Sequence, residues 1–181
     1  MTIPLLTTAQ VQQITTAQIV ALNTEEVQSF TTDGIAALLT SQLAALETVD
    51  FAALTTDQIV ALTTYQIPSL VTADVAALTT DQVVAIETRD VATLTSGQLV
   101  ALTTDHIVAL TTGQIAAIST NSLQALTTGQ VRAIETQDIE ALSTNQVRAL
   151  TTREVSALTT AQIVALTTDQ ISAVTTNAIR A

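Results

Sequence analysis

The chain has 181 residues, 48% hydrophobic but only 2% aromatic, with a formal net charge of -11. Its five cations, Arg89, Arg132, Arg148, Arg153 and Arg180, are scattered, which argues against a nucleic-acid groove or an anionic lipid surface as partner. The absence of cysteine rules out a disulfide framework and thiolate chemistry.

In chain order, the first segment is a six-residue lead-in, Met1 to Leu6. It lacks the basic start and long apolar stretch of a secretory signal. No apolar run approaches the roughly 18 residues of a membrane span, so no membrane insertion is expected. From Thr7 onward an eight-residue unit repeats without insertion or deletion to Ala181, as 21 full octads and a seven-residue partial unit, Thr175 to Ala181. The expected organisation is therefore a lead-in, 1–6, and one repeat array, 7–181.

Each slot of the octad has its own rule. Slot 1 is usually Thr or Ser, and slot 2 is Thr throughout except for Ser96. Slot 4 is usually Gln, slot 7 is nearly always Ala, and slots 5 and 8 are always apolar, with Phe51 and Phe30 as the bulky variants. Slots 3 and 6 vary freely, as solvent-facing positions would.

A continuous helix turns about 100° per residue, so eight residues leave an apolar stripe about 80° out of register. A coiled coil needs sevens or elevens. A strand would send slots 5 and 8 to opposite faces. A β-solenoid is the alternative, but Ala and Gln are poor strand residues and Gly and Asn turns are sparse. Short, broken helices fit best. Thr at slot 1 with Gln three residues later is a capping box, and the preceding slot 8 with slot 5 is placed as a hydrophobic staple. The expected fold is an all-α solenoid with one very short helix per octad. Such helices cannot stand alone and must bury slots 5 and 8 against neighbouring units. Slot 1 is taken as the cap. The greater constancy of slot 2 leaves it as the competing cap, or as a hydroxyl that bonds a neighbouring coil, and on that basis Thr104→Val is expected to be costly.

No catalytic, cofactor-binding or metal-ligating residue is expected. His106 stands in slot 4 in place of Gln, where a capping or surface role suffices. The slot 3 acids, among them Asp33, Asp57, Asp81, Asp105 and Asp169, suit the first helical turn. No loop gathers the oxygens that calcium needs. Gly97, Gly113 and Gly129 share slot 3 without forming a phosphate loop, and Pro68 in slot 6 should distort its helix.

One change is coupled. Where slot 1 is Glu47, Val71, Glu87 or Glu135, slot 4 is Asp50, Asp74, Asp90 or Asp138. This reads as a second way to satisfy first-turn amides when slot 1 cannot cap. If the Glu copies stack, a turn of the superhelix would hold five or six units.

The segment Leu78-Thr79-Thr80-Asp81-Gln82-Val83-Val84-Ala85-Ile86 resembles the first helix of transcription activator-like effector repeats. That likeness stops after eight or nine residues and implies helix only, since the longer repeat and base-reading loop of that family are absent. The whole array resembles the Leu-Thr-Thr-x-Gln-Ile-x-Ala tracts of large proteobacterial proteins described as adhesin-like or surface-associated. That resemblance implies a segment of a longer stalk, at the cell surface or secreted. The function expected is a structural module, spacer or scaffold, with self-association or a protein partner left open. The alternative is a binding surface for ice, a glycan or a protein, formed by the Thr rows or the variable slots. An enzyme is not expected.

Overall fold

The computed structural model describes residues 6–174. The lead-in apart from Leu6, and the partial unit 175–181, lie outside the described residues. Octads are numbered 1 to 21 from Thr7. Twenty of them form one α-helix each, from Thr8–Val11 to Thr168–Ala173, each four to six residues long. The described residues contain no strand, so the architecture is an all-α solenoid and the β-solenoid alternative falls.

The local rules follow the capping pattern. In octad 12 the slot 1 residue Thr95 is extended at φ -69 and ψ 160, and its Oγ1 accepts from the Gln98 amide. Gln98 Oε1 in turn accepts from the Thr95 amide at 2.9 Å. Slot 1 is therefore the cap, and slot 2 is the first helical residue. At the other end, Leu102 in slot 8 is again extended, at φ -61 and ψ 137. Two consecutive extended residues, slots 8 and 1, make each bend. No described residue has a positive φ. The bends therefore need no left-handed residue, which is why the array can do without Gly or Asn at them.

Pro68 distorts its unit as expected. Octad 8 has a turn and the 3-10 helix Ile67–Ser69 where the other units have an α-helix. Proline disfavours helical geometry in the residue before it and removes one amide donor.

Helices pack three octads apart: Thr104–Ala109 lies against Thr80–Ala85 on one side and Thr128–Ala133 on the other. Side chains also reach four octads back, as Gln98 does to Ile67. A turn thus closes between three and four octads. The five or six units expected from the Glu spacing are too many: what stacks is fixed by helix packing, and the Glu copies, 40 and 48 residues apart, are not brought into adjacent coils.

The interior is a column of slots 5 and 8 through octad 18; in the last two described octads, with no later coil described over them, the slot 5 residues Ile163 and Ile171 are exposed. Leu99 and Ile107 are fully buried, and Leu102 and Leu110 nearly so. Slot 3 faces solvent, with Tyr65 at 80% exposure, and slot 6 does too. Slot 2 of one octad abuts slot 3 of the octad three units on: a Cβ at Gly129 would meet the Thr104 methyl at 3.9 Å. At Thr104 it is thus the methyl that faces the next coil, not a bonded hydroxyl as expected. Coil-to-coil hydroxyl bonds do occur at Thr48, Ser96 and Thr112.

This burial pattern gives a direct test. Leu99→Ala should cost about 2–5 kcal/mol, the usual range for a buried leucine that leaves a cavity. Tyr65→Ala should stay within about 0.5 kcal/mol, as surface changes do. Chemical denaturation of both variants, followed by far-ultraviolet circular dichroism, checks the pair.

Candidate functional site

The most elaborate polar feature of the molecule is a buried row formed by slot 4. The sequence places this slot in the first helical turn and in the capping box with slot 1, but gives no sign of a partner in another coil. Every slot 4 glutamine from Gln42 to Gln170 is buried. Its Oε1 closes the capping box of its own helix, and its Nε2 donates to main-chain carbonyls in the octad four units earlier. Gln130 bonds Leu99 O at 2.9 Å, Val100 O at 3.2 Å and Leu102 O at 2.7 Å. Leu99 and Val100 lie at the end of a helix and Leu102 in the bend after it, where helical amides run out; Leu99 O also accepts from the Leu102 amide. One side chain therefore caps the start of one helix and the end of another. Gln10 and Gln18, with no described coil before them, close their boxes but remain exposed.

The exceptions obey the same rule. His106 is buried: its Nδ1 lies 3.2 Å from the Thr103 amide and its Nε2 lies 2.8 Å from Leu78 O. That pairing requires the Nε2–H tautomer and leaves no ring nitrogen for a substrate or metal. The capping role expected for His106 is present, inside the fold and not at its surface. Ser122 is short, yet its Oγ still donates to Leu94 O at 2.9 Å. Glu154 has no proton to give, and its neighbour supplies the donor: Arg153 Nη2 reaches Gln124 O at 2.9 Å and Leu126 O at 3.0 Å. Burial pushes the Glu154 carboxyl up, but hydrogen bonds from Thr151 and Arg153 outweigh it and hold it below 4.5.

The four slot 4 aspartates differ. All are buried, and burial pushes each above the usual carboxylate value of 3.8. They do not serve as the expected substitute for a missing cap. The Asp74 and Asp138 carboxylates turn to a neighbouring coil, where Oδ1 accepts from the Thr48 hydroxyl at 2.8 Å and the Thr112 hydroxyl at 2.7 Å. Their caps, Val71 and Glu135, make no side-chain capping bond.

The outer surface offers less chemistry. A shallow groove of about 520 Å³ runs past Val108, Arg132, Glu135 and Gln162. Exposed Val60, Val84 and Val108 occupy slot 6 of octads 7, 10 and 13, whose helices stack in succession. Among the described residues, no group of three or more His, Asp or Glu is arranged to hold a metal ion. None of the described helices is long and apolar enough to cross a membrane.

The same repeat matches a known family. The ALTTAQ repeat model matches six overlapping windows, residues 32–64, 51–85, 83–120, 115–152, 131–168 and 142–176. The chain belongs to the ALTTAQ repeat family. No curated protein matches it. In this chain the six letters occur literally at Ala157-Leu158-Thr159-Thr160-Ala161-Gln162. Read on the structure, an ALTTAQ unit runs from the end of one helix, through the bend, to the glutamine that closes the next capping box. The name thus spells out the joint between helices.

The joint can be rewired on purpose. Gln98→Glu keeps the oxygen that accepts from Thr95 but sets the other carboxylate oxygen against Ile67 O and Leu70 O, and should cost roughly 3 kcal/mol or more, because that buried oxygen faces acceptors in place of the lost donor. Adding Gly97→Arg copies the Arg153–Glu154 pair, and Gly97 has room for a side chain, its nearest neighbour lying 3.8 Å from an added Cβ. The double variant should recover most of the loss, and a double-mutant cycle of denaturation midpoints measures the recovery.

Proposed function

We propose that this structural repeat module serves as a semi-rigid spacer or scaffold within a larger, surface-associated or secreted protein, and that it is not an enzyme. The observation that carries this reading is the division between inside and outside. Slots 4, 5 and 8 repeat one bonding and packing scheme along the array, while the exposed slots 3 and 6 carry residues of every chemical kind. An active site would draw a few unlike residues into one fixed cluster. Here the polar groups with the most specific surroundings, the slot 4 side chains, are spent on joining coils. The slot 1 hydroxyls are likewise engaged in caps, as at Thr95 and Thr111. That leaves them poorly suited to ordering water as an ice-binding face.

The geometry also sets what a spacer of this kind delivers. Helix layers 8–10 Å apart, shared by three to four octads, give roughly 2–3 Å of length per octad. Each octad also turns the chain by roughly 90–120° about the axis, so the number of units sets both reach and direction. Deletion of one internal octad, residues 79–86, should leave a folded array, because every following unit finds an equivalent partner. Deletion of three should shorten the particle by about one layer, roughly 8–10 Å. Small-angle scattering reads the length, and activity of the host protein should follow it. His106→Gln should change neither, and loss of host activity from that substitution on a folded chain would refute the spacer.

A second reading, a docking face for an apolar partner, draws support from the stacked Val60, Val84 and Val108. Lysine at both Val84 and Val108 separates the two readings. The fold should survive in either case, and loss of host function at unchanged particle length would favour docking.

A further inference from the structure

The slot 8 carbonyl of an octad receives a hydrogen from slot 4 or its neighbour four units later, and the kind of donor varies freely. It is an amide from Gln130 to Leu102 O, an imidazole from His106 to Leu78 O, a hydroxyl from Ser122 to Leu94 O and a guanidinium from Arg153 to Leu126 O. The first three span 28 residues. The same spacing sets Asp74 against Leu46 and Asp138 against Leu110. Both aspartates are at most 1% exposed. In each, Oδ1 is taken by a threonine hydroxyl while Oδ2 is buried without any partner. Ser122 shows that a side chain shorter than Asp reaches the carbonyl. An ionised Asp there would oppose an oxygen to an oxygen. A neutral carboxylic acid would complete the pattern, accepting at Oδ1 and donating from Oδ2.

We propose that Asp74 and Asp138 work as carboxylic acids in the folded chain, each donating its Oδ2 proton to the slot 8 carbonyl four octads earlier, so that the solenoid is a proton-locked array that tightens in acidic surroundings. The surroundings of both sites agree. The helix bearing Asp74 packs between Thr48–Ala52 and Ser96–Ala101. The ionisable groups of those two octads are Glu47, at the exposed cap, and Asp50, buried in its own slot 4. Octad 5, which supplies Leu46 O, has none. The helix bearing Asp138 packs between Thr112–Ala117 and Thr160–Ala165, neither of which carries an ionisable side chain. Octad 13, which supplies Leu110 O, carries Asp105 and His106 at its far end, with both His106 nitrogens engaged. Glu135 and Glu140 flank Asp138 on its own octad; like charge from Glu135 adds to the burial that pushes the carboxyl up. Among the described residues, no cation is placed to hold either aspartate ionised.

The sign of the effect follows from linkage. A carboxyl raised above 3.8 in the folded state binds its proton more tightly there than in the unfolded chain. Its stabilisation is complete below 3.8 and is lost as pH rises through the folded-state value. Two such groups change the unfolding equilibrium constant by up to about a hundredfold per pH unit inside that window. Glu154 acts the other way, losing its contribution as pH falls below 4.5, and so sets the acid limit.

The test is chemical denaturation of the full chain from pH 4.5 to 8, in salt high enough to screen the net charge of -11. It compares the native chain with Asp74→Asn, Asp138→Asn and the double variant. The native chain should lose stability as pH rises. The double variant should be more stable than the native chain at pH 8, because an amide donates at every pH, and its pH dependence should be clearly shallower, with Asp50 and Asp90, also raised by burial, supplying what remains. Carboxyl-carbon chemical shifts of the folded native chain, assigned by comparison with the two single variants, should show Asp74 and Asp138 still protonated where free aspartate is ionised. An unchanged pH slope in the double variant, or two aspartates that titrate at the ordinary value, would overturn the proposal. So would a midpoint that calcium chloride raises at pH 8 in the native chain and not in the double variant, since a metal ion would then be the missing partner. None of these outcomes bears on the spacer reading, which rests on length and not on pH.

Discussion

A helix of four to six residues leaves almost all its amides and carbonyls without a partner inside it, and this solenoid exists because one side chain per octad serves both ends of the problem. The slot 4 glutamine accepts from the amide at its own cap and donates to carbonyls at the end of a helix four units earlier. Local folding and coil stacking are therefore one event, not two. An octad cannot complete its bonding until the chain has gone round once. Cooperativity across roughly a full turn follows, even though the contacts of any unit reach only its near neighbours.

That arrangement relaxes the demand on the apolar core. Slots 5 and 8 form a narrow column of aliphatic side chains, with Phe30 and Phe51 as the rings buried in it. In a larger domain aromatic residues fill the space between layers. Here there is little space to fill, because the bend comes after every helix and brings the backbone close to the axis. The extended residues at slots 8 and 1 make that bend without a left-handed residue, so the array needs no glycine to change direction.

The exceptions show that the rule concerns hydrogen donation and not the identity of glutamine. Histidine, serine and an arginine borrowed from slot 3 all reach the same row of carbonyls. The aspartates fit the rule only as neutral acids, which makes the fold's stability answer to pH at a few positions while its shape stays uniform. A spacer built this way can drift on its outside and keep its pitch inside, because few outer residues take part in the joint between coils, as Thr48 in slot 2, Arg153 in slot 3 and Gln124 in slot 6 do.

Much was legible in the sequence because it depends on neighbours in the chain. The capping box of Thr95 and Gln98, the staple of Leu94 and Leu99, the exposure of Tyr65 and the distortion at Pro68 all follow from spacings of five residues or fewer. The family, too, is written in a local motif. What the sequence could not disclose is how many octads close a turn, since that depends on the bend angle and on helix packing, not on any spacing along the chain. The units per turn then decided everything about slot 4. Gln98 reads as a surface capping residue until the coil containing Ile67 and Leu70 is laid against it. Asp74 reads as a helpful charge in a first turn until burial takes it out of water and pushes its carboxyl above the usual value. The octad alone determined the helix, its caps and its apolar face. Only tertiary contact, 25 to 31 residues away, decided which polar groups would have to find their partners inside the protein.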